Sequence, residues 1–328
     1  MKFLIAGLGS IGRRHFKNLV TLGEKDIILY RTGRGTLPDA ELVGFPIEYD
    51  LIQALEKKPD AVIVANPTAL HMQVAVPAAE TGCHIFLEKP IASHTEELSE
   101  FEQLISGNPD KVYTGFQFRF NEGLQKVKNI MDSEEFGRAL SFQCYWGEYL
   151  PDWHRWEDYR KSYSARSDLG GGVVKTLCHP LDYLSWIFGD VKTLFALVSK
   201  TSDLEIEAED GAEIVFEFNN GVTGNLHLDY YRKPMRHDLE ITTTSSVIKW
   251  DHAGSDVVIQ QHDGSQVVHS GPDNYERNHM FLDEMRHFIN VIKGNVKPVC
   301  GYDDGKKALQ LAQSILQSGY YHHPVKFE

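Results

Sequence analysis

Three glycines close to the start of the chain have the spacing of a phosphate-binding turn. An apolar segment at residues 3–6 leads directly into Gly7, Gly9 and Gly12, and a helix-compatible stretch follows at residues 13–22. In a strand–turn–helix of this kind, the first glycine permits the tight turn, the second lets the backbone approach a pyrophosphate, and the third lets the helix pack against the strand. The pattern therefore predicts that this segment binds a dinucleotide.

The end of the second predicted strand, Ile27–Tyr30, bears on which dinucleotide is bound. Units that bind NAD usually carry an Asp or Glu about 20 residues beyond the glycines, where it binds the ribose hydroxyls. Here that place holds Arg31, Thr32 and Arg34, and no carboxylate. Because an arginine can pair with the 2′-phosphate of NADP, the sequence favours NADP over NAD. The plainer interpretation is that both arginines are solvated loop charges.

Two further loops follow predicted parallel strands and carry polar side chains. The first is Asn66-Pro67-Thr68, with His71 one turn into the next helix, and the second is Glu88-Lys89-Pro90. Open α/β sheets bind ligands at the carboxyl ends of their strands, so both loops are candidates for a binding site. Lys89 is a plausible acid/base group there. Taken alone, a lysine at such a position is more often a surface residue.

Together with a later glycine–histidine motif at residues 170–182, these motifs resemble those of the Gfo/Idh/MocA oxidoreductases. The family includes glucose-fructose oxidoreductase and inositol dehydrogenase, and the resemblance covers nearly the whole chain in the expected order. It implies that Lys89 is catalytic and that Gln117 lies near the cofactor or substrate. The cofactor contacts predicted from the motifs and the resemblance are Gly7, Gly9, Ser10, Ile11, Gly12, Arg31, Thr32, Arg34, Asn66, Pro67, Thr68, His71, Glu88, Lys89 and Gln117.

The glycine–histidine motif departs from the family pattern at one place. Many members carry an Asp four residues before the histidine, and the two act together on the substrate. Here Lys175 stands four residues before His179, and Thr176 stands three before it. The resemblance still implies that His179 is catalytic, with Thr176 contributing a hydroxyl and Lys175 binding an anionic substrate group. The alternative for His179 is a structural histidine of the core whose ring nitrogens are hydrogen-bonded there. Asp182 either supports the site or caps a helix.

The segment between residues 149 and 166 is unusually rich in aromatic and charged residues. Aromatic rings stack on sugars, and arginine binds hydroxyls or carboxylates, so the segment is predicted to cover a substrate. The residues expected to contact that substrate are Lys89, Trp153, Arg155, Tyr163, Arg166, Lys175 and His179. An equally good interpretation is a loop packed on its own domain or on a partner subunit.

Strand and helix patterns alternate at first and change after about residue 120. The alternation predicts an α/β fold with a doubly wound parallel sheet, a Rossmann domain, at residues 1–118. Strand patterns that include Ile214–Phe218 and Glu240–Trp250 then predict a second α/β domain, with a large, mainly antiparallel sheet, at residues 119–328. Helical patterns at 276–293 and 303–317 close the chain. The resemblance implies that the last helix packs near the interdomain region, and that the exposed sheet face forms a homodimer or homotetramer.

The composition disfavours several classes of partner. With 33 Lys and Arg against 46 Asp and Glu, the formal net charge is −13, which argues against binding to nucleic acid or to an anionic membrane. No apolar run approaches the roughly 20 residues of a membrane span. The four cysteines show neither CxxC nor zinc spacing, so we expect reduced thiols in a cytoplasmic protein and no metal site.

The predicted function is NAD(P)-dependent oxidoreduction of a secondary alcohol on a sugar, sugar acid, nucleotide sugar or cyclitol. Two alternatives stay open. A cofactor-binding regulator without catalysis is favoured by the missing carboxylate before His179, whereas the intact Lys89 argues against it. A glycoside-cleaving enzyme with a tightly held NAD is the second alternative, and Arg31 and Arg34 argue against that one.

Overall fold

The computed structural model describes residues 1–33, 37, 39–154 and 156–327 of the chain. Its backbone divides into two compact units. The first unit comprises Met1–Gln117, Asp168–Gly170 and Asn278–Leu309, and the second comprises Phe118–Ser167, Gly171–Arg277 and Gln310–Glu328. The boundary at residue 118 stays a prediction; the structure adds the segment Asn278–Leu309 to the first unit. Arg34 and Arg155 lie outside the described residues.

The helices and strands up to residue 115 alternate. In chain order they are β1 (Lys2–Ala6), α1 (Ser10–Thr21), β2 (Asp26–Tyr30), β3 (Ile47–Glu48), α2 (Leu51–Glu56), β4 (Ala61–Val64), α3 (His71–Glu80), β5 (His84–Glu88), α4 (Ser99–Ile105) and β6 (Val112–Gly115). Among the described residues, six strands form a parallel sheet in the order β3-β2-β1-β4-β5-β6. The predicted Rossmann fold, with its doubly wound parallel sheet, is thereby confirmed.

Continuous burial explains why these short apolar runs become central strands. All four residues of β4 are buried, and so are four of the five residues of β1. A parallel sheet covered by helices on both faces needs strands that are apolar on both sides. Helix α2 begins where the carboxylate of Asp50 accepts a hydrogen bond of 2.9 Å from the N–H of Gln53. Because β1, β4 and β5 pair in parallel, their carboxyl ends lie along one edge of the sheet.

The rest of the chain is rich in strands. Its elements are α5 (Glu122–Ser133), β7 (Ala139–Tyr149), α6 (Val173–Thr176), α7 (His179–Phe188), β8 (Val191–Ser199), β9 (Gly211–Phe218), β10 (Thr223–Asp229), β11 (Tyr231–Thr243), β12 (Ser246–Asp251), β13 (Asp256–Gln261), β14 (Gln266–His269), α8 (Asn278–Ile292), α9 (Tyr302–Tyr321) and β15 (Val325–Lys326). Within the described ranges, nine strands form one sheet, β14-β13-β12-β11-β7-β10-β9-β8-β15. The pair β7–β10 is parallel and the other pairs are antiparallel, which confirms the predicted mainly antiparallel sheet.

One face of this sheet is buried and the other faces outward. On β9, Ile214, Phe216 and Phe218 are at most 2% exposed, whereas Val215 between them is 55% exposed. Buried and exposed side chains therefore alternate along β9, as expected for a strand that packs against the core on one face only. A turn follows β9, where the N–H of Gly221 donates to the carbonyl of Phe218 at 2.9 Å.

The prediction of one strand over Glu240–Trp250 is wrong. β11 ends at Thr243 and β12 begins at Ser246, and the two pair as an antiparallel hairpin. The hydroxyl of Thr243 accepts the N–H groups of Ser245 and Ser246 at 3.2 and 2.9 Å, which closes a short turn. A side chain that caps its own turn interrupts an otherwise strand-like pattern.

The two terminal helical patterns correspond to α8 and α9. At the start of α9, the hydroxyl of Tyr302 donates to Glu102 at 2.7 Å, and near its end the hydroxyl of Ser318 accepts the N–H of Ala196 at 2.9 Å. The position of this helix near the interdomain region stays a prediction. No helix within the described part of the chain is long and apolar enough to cross a membrane.

Candidate active site

The glycine turn after β1 is fixed by close backbone packing at two of its three glycines. Gly7 has a φ of +93°, and a Cβ there would lie 2.5 Å from the backbone nitrogen of Asn66. A Cβ on Gly12 would lie 2.0 Å from the carbonyl oxygen of Gly7. A Cβ on Gly9, in contrast, would have no atom of the described protein within 4 Å. The turn therefore needs Gly7 and Gly12 for its own packing, while Gly9 borders open space.

The amino terminus of α1 faces this open space. Gly9 precedes the helix in an extended conformation, Ser10 is exposed, and Ile11 is half-buried. The described first turn of α1 carries no acidic side chain. Unsatisfied N–H groups and a helix dipole at such a terminus favour an anion. The positions of Ser10 and Ile11 therefore fit a bound phosphate group.

Arg13 supports the glycine turn and was missed by the sequence reasoning. Its guanidinium is 6% exposed, and it donates to the carbonyl of Leu8 from Nε and to that of Leu37 from Nη2, both at 3.0 Å. It thus ties the turn to the segment after β2. The two acceptor residues, Leu8 and Leu37, lie 5 and 24 residues from Arg13 in sequence. The contact with Leu37 therefore depends on the fold and has no signal in the residues next to Arg13.

The segment after β2 carries the residues predicted to select the dinucleotide. The N–H of Arg31 donates to the carbonyl of Glu48 at 3.1 Å, so the backbone continues along β3. Arg31 is half-buried and Thr32 is exposed. The predicted contribution of Arg34 lies outside the described residues. At the end of β2, the structure places Arg31 and Thr32 where the sequence predicted them.

The loop after β4 is held by a buried histidine. His71 is 1% exposed, and its Nε2 and Nδ1 lie 2.9 and 3.3 Å from the carbonyl oxygens of Asn66 and Ile91. Burial lowers the pKa of His71, so the ring is neutral at pH 7. The neutral ring has one N–H and donates to one of these two carbonyls, so His71 packs between the loop after β4 and the loop after β5 with a hydrogen bond to one of them. Within the first loop, the side chain of Asn66 donates to Leu70 at 2.8 Å, Pro67 is half-buried and Thr68 is buried.

The loop after β5 begins with a buried carboxylate. Glu88 is 5% exposed, and its Oε1 lies 2.6 Å from Nε2 of His15, on α1. Its Oε2 accepts the N–H of Lys89 at 3.2 Å. Glu88 thus fixes the backbone at Lys89 and anchors it to the helix of the glycine turn. Lys89 itself is half-buried at the carboxyl edge of the parallel sheet.

A glycine from later in the chain packs on these two loops. Gly170 has a φ of +86°, and a Cβ there would lie 2.8 Å from the hydroxyl of Ser93 and 3.0 Å from Cβ of Thr68. Any side chain at this position would push the loops after β4 and β5 apart. The first glycine of the glycine–histidine motif therefore serves close packing within the first unit. Gln117, the last residue of the first segment of this unit, is buried.

In the second unit, His179 is the first residue of α7 and is 3% exposed. Its ring packs against Phe118 at 4.9 Å and stacks on Trp146 at 5.6 Å, measured between centroids. Asp182 lies one turn further along α7. Its two carboxylate oxygens accept Nε and Nη2 of Arg119 at 3.0 and 2.7 Å in a buried bidentate pair. The charge of Asp182 is thus balanced by that of Arg119, and this ion pair holds the helix that carries His179.

The short helix α6 places Lys175 and Thr176 in a buried setting, 7% and 6% exposed. Just before it, Gly172 has a φ of +103°, and a Cβ there would lie 2.2 Å from Oε1 of Glu209. The N–H of Val174 donates to the same oxygen at 3.4 Å. Burial raises the pKa of Glu209 to about 7. The sequence reasoning missed Glu209, because it lies far along the chain from the motif it contacts.

The aromatic segment before the motif packs on its glycines. The N–H groups of Gly171 and Gly172 donate to the carbonyls of Arg166 and Ser164 at 2.9 and 3.0 Å. Trp153 meets the ring of Tyr230 edge-on at 5.5 Å. The backbone contacts support the interpretation of a loop packed on its own domain, and the substrate-contacting roles of Trp153, Tyr163 and Arg166 stay predictions. The predicted role of Arg155 lies outside the described residues.

Two family models match the chain. Residues 1–116 match the oxidoreductase family with an NAD-binding Rossmann fold, and residues 124–249 match the GFO/IDH/MocA C-terminal domain. Myo-inositol 2-dehydrogenase of Thermotoga maritima is 26% identical over 345 residues, covering 100% of this chain and 99% of that protein. The scyllo-inositol 2-dehydrogenase (NAD(+)) of Bacillus subtilis is 24% identical, covering 99% of this chain and 95% of that protein.

Solved structures show the same fold at low sequence identity. Levoglucosan dehydrogenase in complex with NADH superposes with a TM-score of 0.86 at 17% identity, covering 100% of this chain and 99% of that one. The crystal structure of myo-inositol 2-dehydrogenase from Lactobacillus plantarum gives a TM-score of 0.83 at 22% identity, with coverage of 100% and 99%. At these identities the likeness concerns the fold alone.

Proposed function

Because the chain belongs to the GFO/IDH/MocA family of NAD-binding oxidoreductases, we propose that it transfers a hydride between a nicotinamide cofactor and a secondary alcohol or ketone. The substrate class we propose is a sugar, sugar acid, nucleotide sugar or cyclitol. The observation that carries the proposal is the open space at Gly9 on the same sheet edge as Lys89. Full-length relatives named as inositol dehydrogenases support the cyclitol and sugar class.

The glycine turn fits a dinucleotide. The N–H groups of Ser10 and Ile11 would hold its pyrophosphate, and Gly9 leaves room for that group to approach the backbone. The bound nicotinamide would supply or accept the hydride. Asn66, Pro67 and Thr68 border the same edge of the sheet, and the ring of His71 lies against the carbonyls of Asn66 and Ile91 and so fixes their loop. The cofactor contact of His71 stays a prediction.

Lys89 is proposed to act on the reacting oxygen. In the oxidising direction, its neutral amine would take the hydroxyl proton as the hydride leaves for the nicotinamide, and the ammonium so formed would hydrogen-bond the oxygen. In the reducing direction, the ammonium would return that proton to the oxygen as the hydride arrives. A catalytic group must be held in place to be effective. The bond from Lys89 N–H to Glu88, and the contact of Glu88 with His15, provide that support.

The second unit is proposed to contribute substrate contacts. His179 would hold or relay a proton at a substrate hydroxyl, with Thr176 offering a hydroxyl and Lys175 binding an anionic group. The pair of Arg119 and Asp182 positions His179 by holding the first turn of α7. Because Asp182 is engaged by arginine, it is a positioning residue rather than a proton acceptor.

NADP is the proposed cofactor, with NAD as the alternative. The support is the residue types that follow β2: an arginine and a threonine, Arg31 and Thr32, stand where NAD-binding units usually carry an Asp or Glu that binds the ribose hydroxyls. A screen of sugars, uronates, nucleotide sugars and inositols with each dinucleotide, followed by absorbance of the reduced nicotinamide, tests both substrate and cofactor.

The assignment of Lys89 is tested by Lys89→Met. We expect this variant to keep its affinity for the reduced dinucleotide, measured by fluorescence, and to lose at least about 100-fold in kcat, the range typical of a removed acid/base group. The exposed Lys25 gives a matched control, and Lys25→Met should behave like the wild type. Unchanged turnover in Lys89→Met would overturn the assignment.

The same measurements separate the other two functions. A dinucleotide that binds without any turnover across the screen supports a regulator, and a co-purified NAD that never exchanges supports a glycoside-cleaving enzyme.

A homodimer or homotetramer is the proposed assembly, because Leu197 and Val215 on the outward sheet face are 53% and 55% exposed. A cytoplasmic location stays a prediction.

A further inference from the structure

We propose that Glu209 is a substrate-binding carboxylate that accepts a hydrogen bond from a hydroxyl of a polyol. The inference rests on the proposed function for its substrate class. It concerns a residue that lies outside the motifs of the sequence, in the segment that leads into β9. The motif itself carries Lys175 at the position where a carboxylate was expected, so a carboxylate supplied from elsewhere in the fold has a chemical reason to be there.

The position of Glu209 ties it to the glycine–histidine motif. Its backbone carbonyl accepts the N–H of Val173 at 3.1 Å, and its side-chain Oε1 accepts the N–H of Val174 at 3.4 Å. Gly172 can approach the carboxylate only because it has no Cβ, which would lie 2.2 Å from Oε1 and 2.5 Å from Oε2. Both carboxylate oxygens therefore lie directly against the turn that leads into α6.

Glu209 retains unused hydrogen-bonding capacity. A carboxylate has about four acceptor positions. Among the described residues, Glu209 uses them for the long bond from the N–H of Val174 and for its own backbone N–H, which leaves acceptor positions for a ligand. The adjacent Asp210 differs, since its carboxylate accepts the N–H groups of Thr201 and Ser202 and the hydroxyl of Ser202 at 2.6–3.1 Å. Asp210 is thus committed to its own loop, whereas the half-buried Glu209 can accept further donors.

The charged and titratable groups around Glu209 come from several elements. Lys175 on α6 favours the ionised carboxylate, and the neighbouring Asp210 disfavours it. Tyr230, between β10 and β11, is coupled to Glu209 and to Tyr163, and stays neutral because burial raises its pKa well above the ordinary value. The balance of these groups with burial leaves the pKa of Glu209 at about 7.

This setting predicts a pH-dependent affinity for polyols. The ionised carboxylate accepts a hydroxyl hydrogen bond better than the neutral acid does, since hydrogen bonds to charged groups are the stronger ones. Binding therefore favours the deprotonated form, and below the pKa it releases the Glu209 proton to the buffer. Apparent affinity should rise as the pH passes upward through about 7.

The test compares Glu209→Gln with the wild type, using myo-inositol as the probe and Glu207→Gln as the matched exposed control. In the wild type we expect kcat/KM to rise about tenfold between pH 6 and pH 8. Glu209→Gln should lose that rise and fall about 10- to 100-fold at pH 8, the loss expected for one charge-assisted hydrogen bond. A wild-type value and pH profile in this variant would overturn the proposal.

A second measurement does not depend on turnover. Side-chain ¹³C labelling of glutamate gives a signal for Glu209, assigned by its absence in Glu209→Gln, that should titrate near pH 7 and shift when myo-inositol is added. If that shift occurs in a protein without dehydrogenase activity, the carboxylate proposal stands and the proposed function fails. If activity is present and the signal does not respond to myo-inositol, the role of Glu209 fails alone.

Discussion

The ionisation of Glu209 couples the stability of the protein to pH. Its pKa is about 7 in the folded chain against an ordinary value of 4.5. Between those values the folded state binds one proton more than the unfolded state, so stability falls as the pH rises from about 4.5 to 7, and the loss is complete above 7. Glu209→Gln keeps an acceptor for the N–H of Val174 and removes the buried charge.

We therefore expect Glu209→Gln to be more stable than the wild type by about 1–3 kcal/mol at pH 8 and nearly equal to it at pH 5. Urea denaturation at the two pH values measures this, and Glu207→Gln, from an exposed position, should change neither. An effect of the same size at both pH values would show that the carboxylate does not carry the predicted pKa.

The buried pair of Arg119 and Asp182 is the second residue-scale determinant. Their side chains are 6% and 2% exposed and form two hydrogen bonds. Asp182→Asn leaves the arginine charge buried with a neutral partner, and we expect a loss of about 3–5 kcal/mol in the free energy of unfolding. The exposed pair of Lys192 and Glu217, joined at 2.7 Å, gives the control.

Glu217→Gln should cost less than about 1 kcal/mol, because solvent already screens that pair. Chemical denaturation of both variants compares them directly. Equal costs for the two substitutions would mean that burial does not strengthen the interaction of Arg119 with Asp182. Activity at a temperature where both variants are folded then reports whether the position of His179 depends on this pair.

Residue-scale prediction from the sequence worked where the reason is local. Gly7 and Gly12 could be assigned because a turn and a helix contact constrain them within a few residues. Asp182 could not be assigned, since its partner Arg119 is 63 residues away and only the fold brings them together. The role of Glu209 could not be predicted from the sequence for the same reason, because the residues that contact its carboxylate, Gly172 and Val174, lie far from it in the chain.

At the scale of elements, the junction of β1 and α1 separates glycines that the fold requires from the one that the ligand requires. Gly12→Ala places a Cβ 2.0 Å from the carbonyl oxygen of Gly7, so helix and turn must move apart. We expect a loss of about 1–3 kcal/mol, the range for overpacking, measured by thermal or urea denaturation. Gly9→Ala meets nothing within 4 Å and should leave stability unchanged within about 0.5 kcal/mol.

Gly9→Ala is expected to weaken dinucleotide binding although it leaves stability unchanged. The Cβ of Gly9→Ala occupies space that a pyrophosphate needs, so we expect dinucleotide affinity to fall at least tenfold, measured by titration calorimetry. Gly107→Ala, where a Cβ also meets nothing, is the control for an open glycine far from α1. Normal dinucleotide affinity in Gly9→Ala would remove the glycine turn from the binding site.

Element prediction succeeded for the parallel sheet and was less accurate in the second sheet. Each central strand of the first sheet is a continuous apolar run between turn residues, a signal contained in the strand itself. The sequence pattern predicts one strand where β11 and β12 form a hairpin, because the turn consists of Thr and Ser rather than Gly or Pro and is closed by the hydroxyl of Thr243. The two-residue strands β3 and β15 pair with distant segments and have too few residues to form a pattern.

At the scale of the whole molecule, the outward face of the nine-stranded sheet is the feature that bears on assembly. Phe195, Leu197 and Val215 lie on that face, because Phe195 pairs with Val215 across β8 and β9 and Leu197 is two residues along the same strand. Leu197 and Val215 are 53% and 55% exposed. An exposed apolar group of this kind on a sheet is typical of a protein–protein interface, so the proposed homodimer or homotetramer would bury it.

We expect Leu197→Lys and Val215→Lys to lower the oligomeric state, because each puts a charge into an interface that excludes water. Light scattering coupled to size exclusion measures the mass of each variant against that of the wild type. Ile52 is equally exposed, at 56%, on α2 of the first unit, and Ile52→Lys should leave the mass unchanged. A wild-type protein that is monomeric, or an oligomer that survives both substitutions, would show that the chain associates by another surface or not at all.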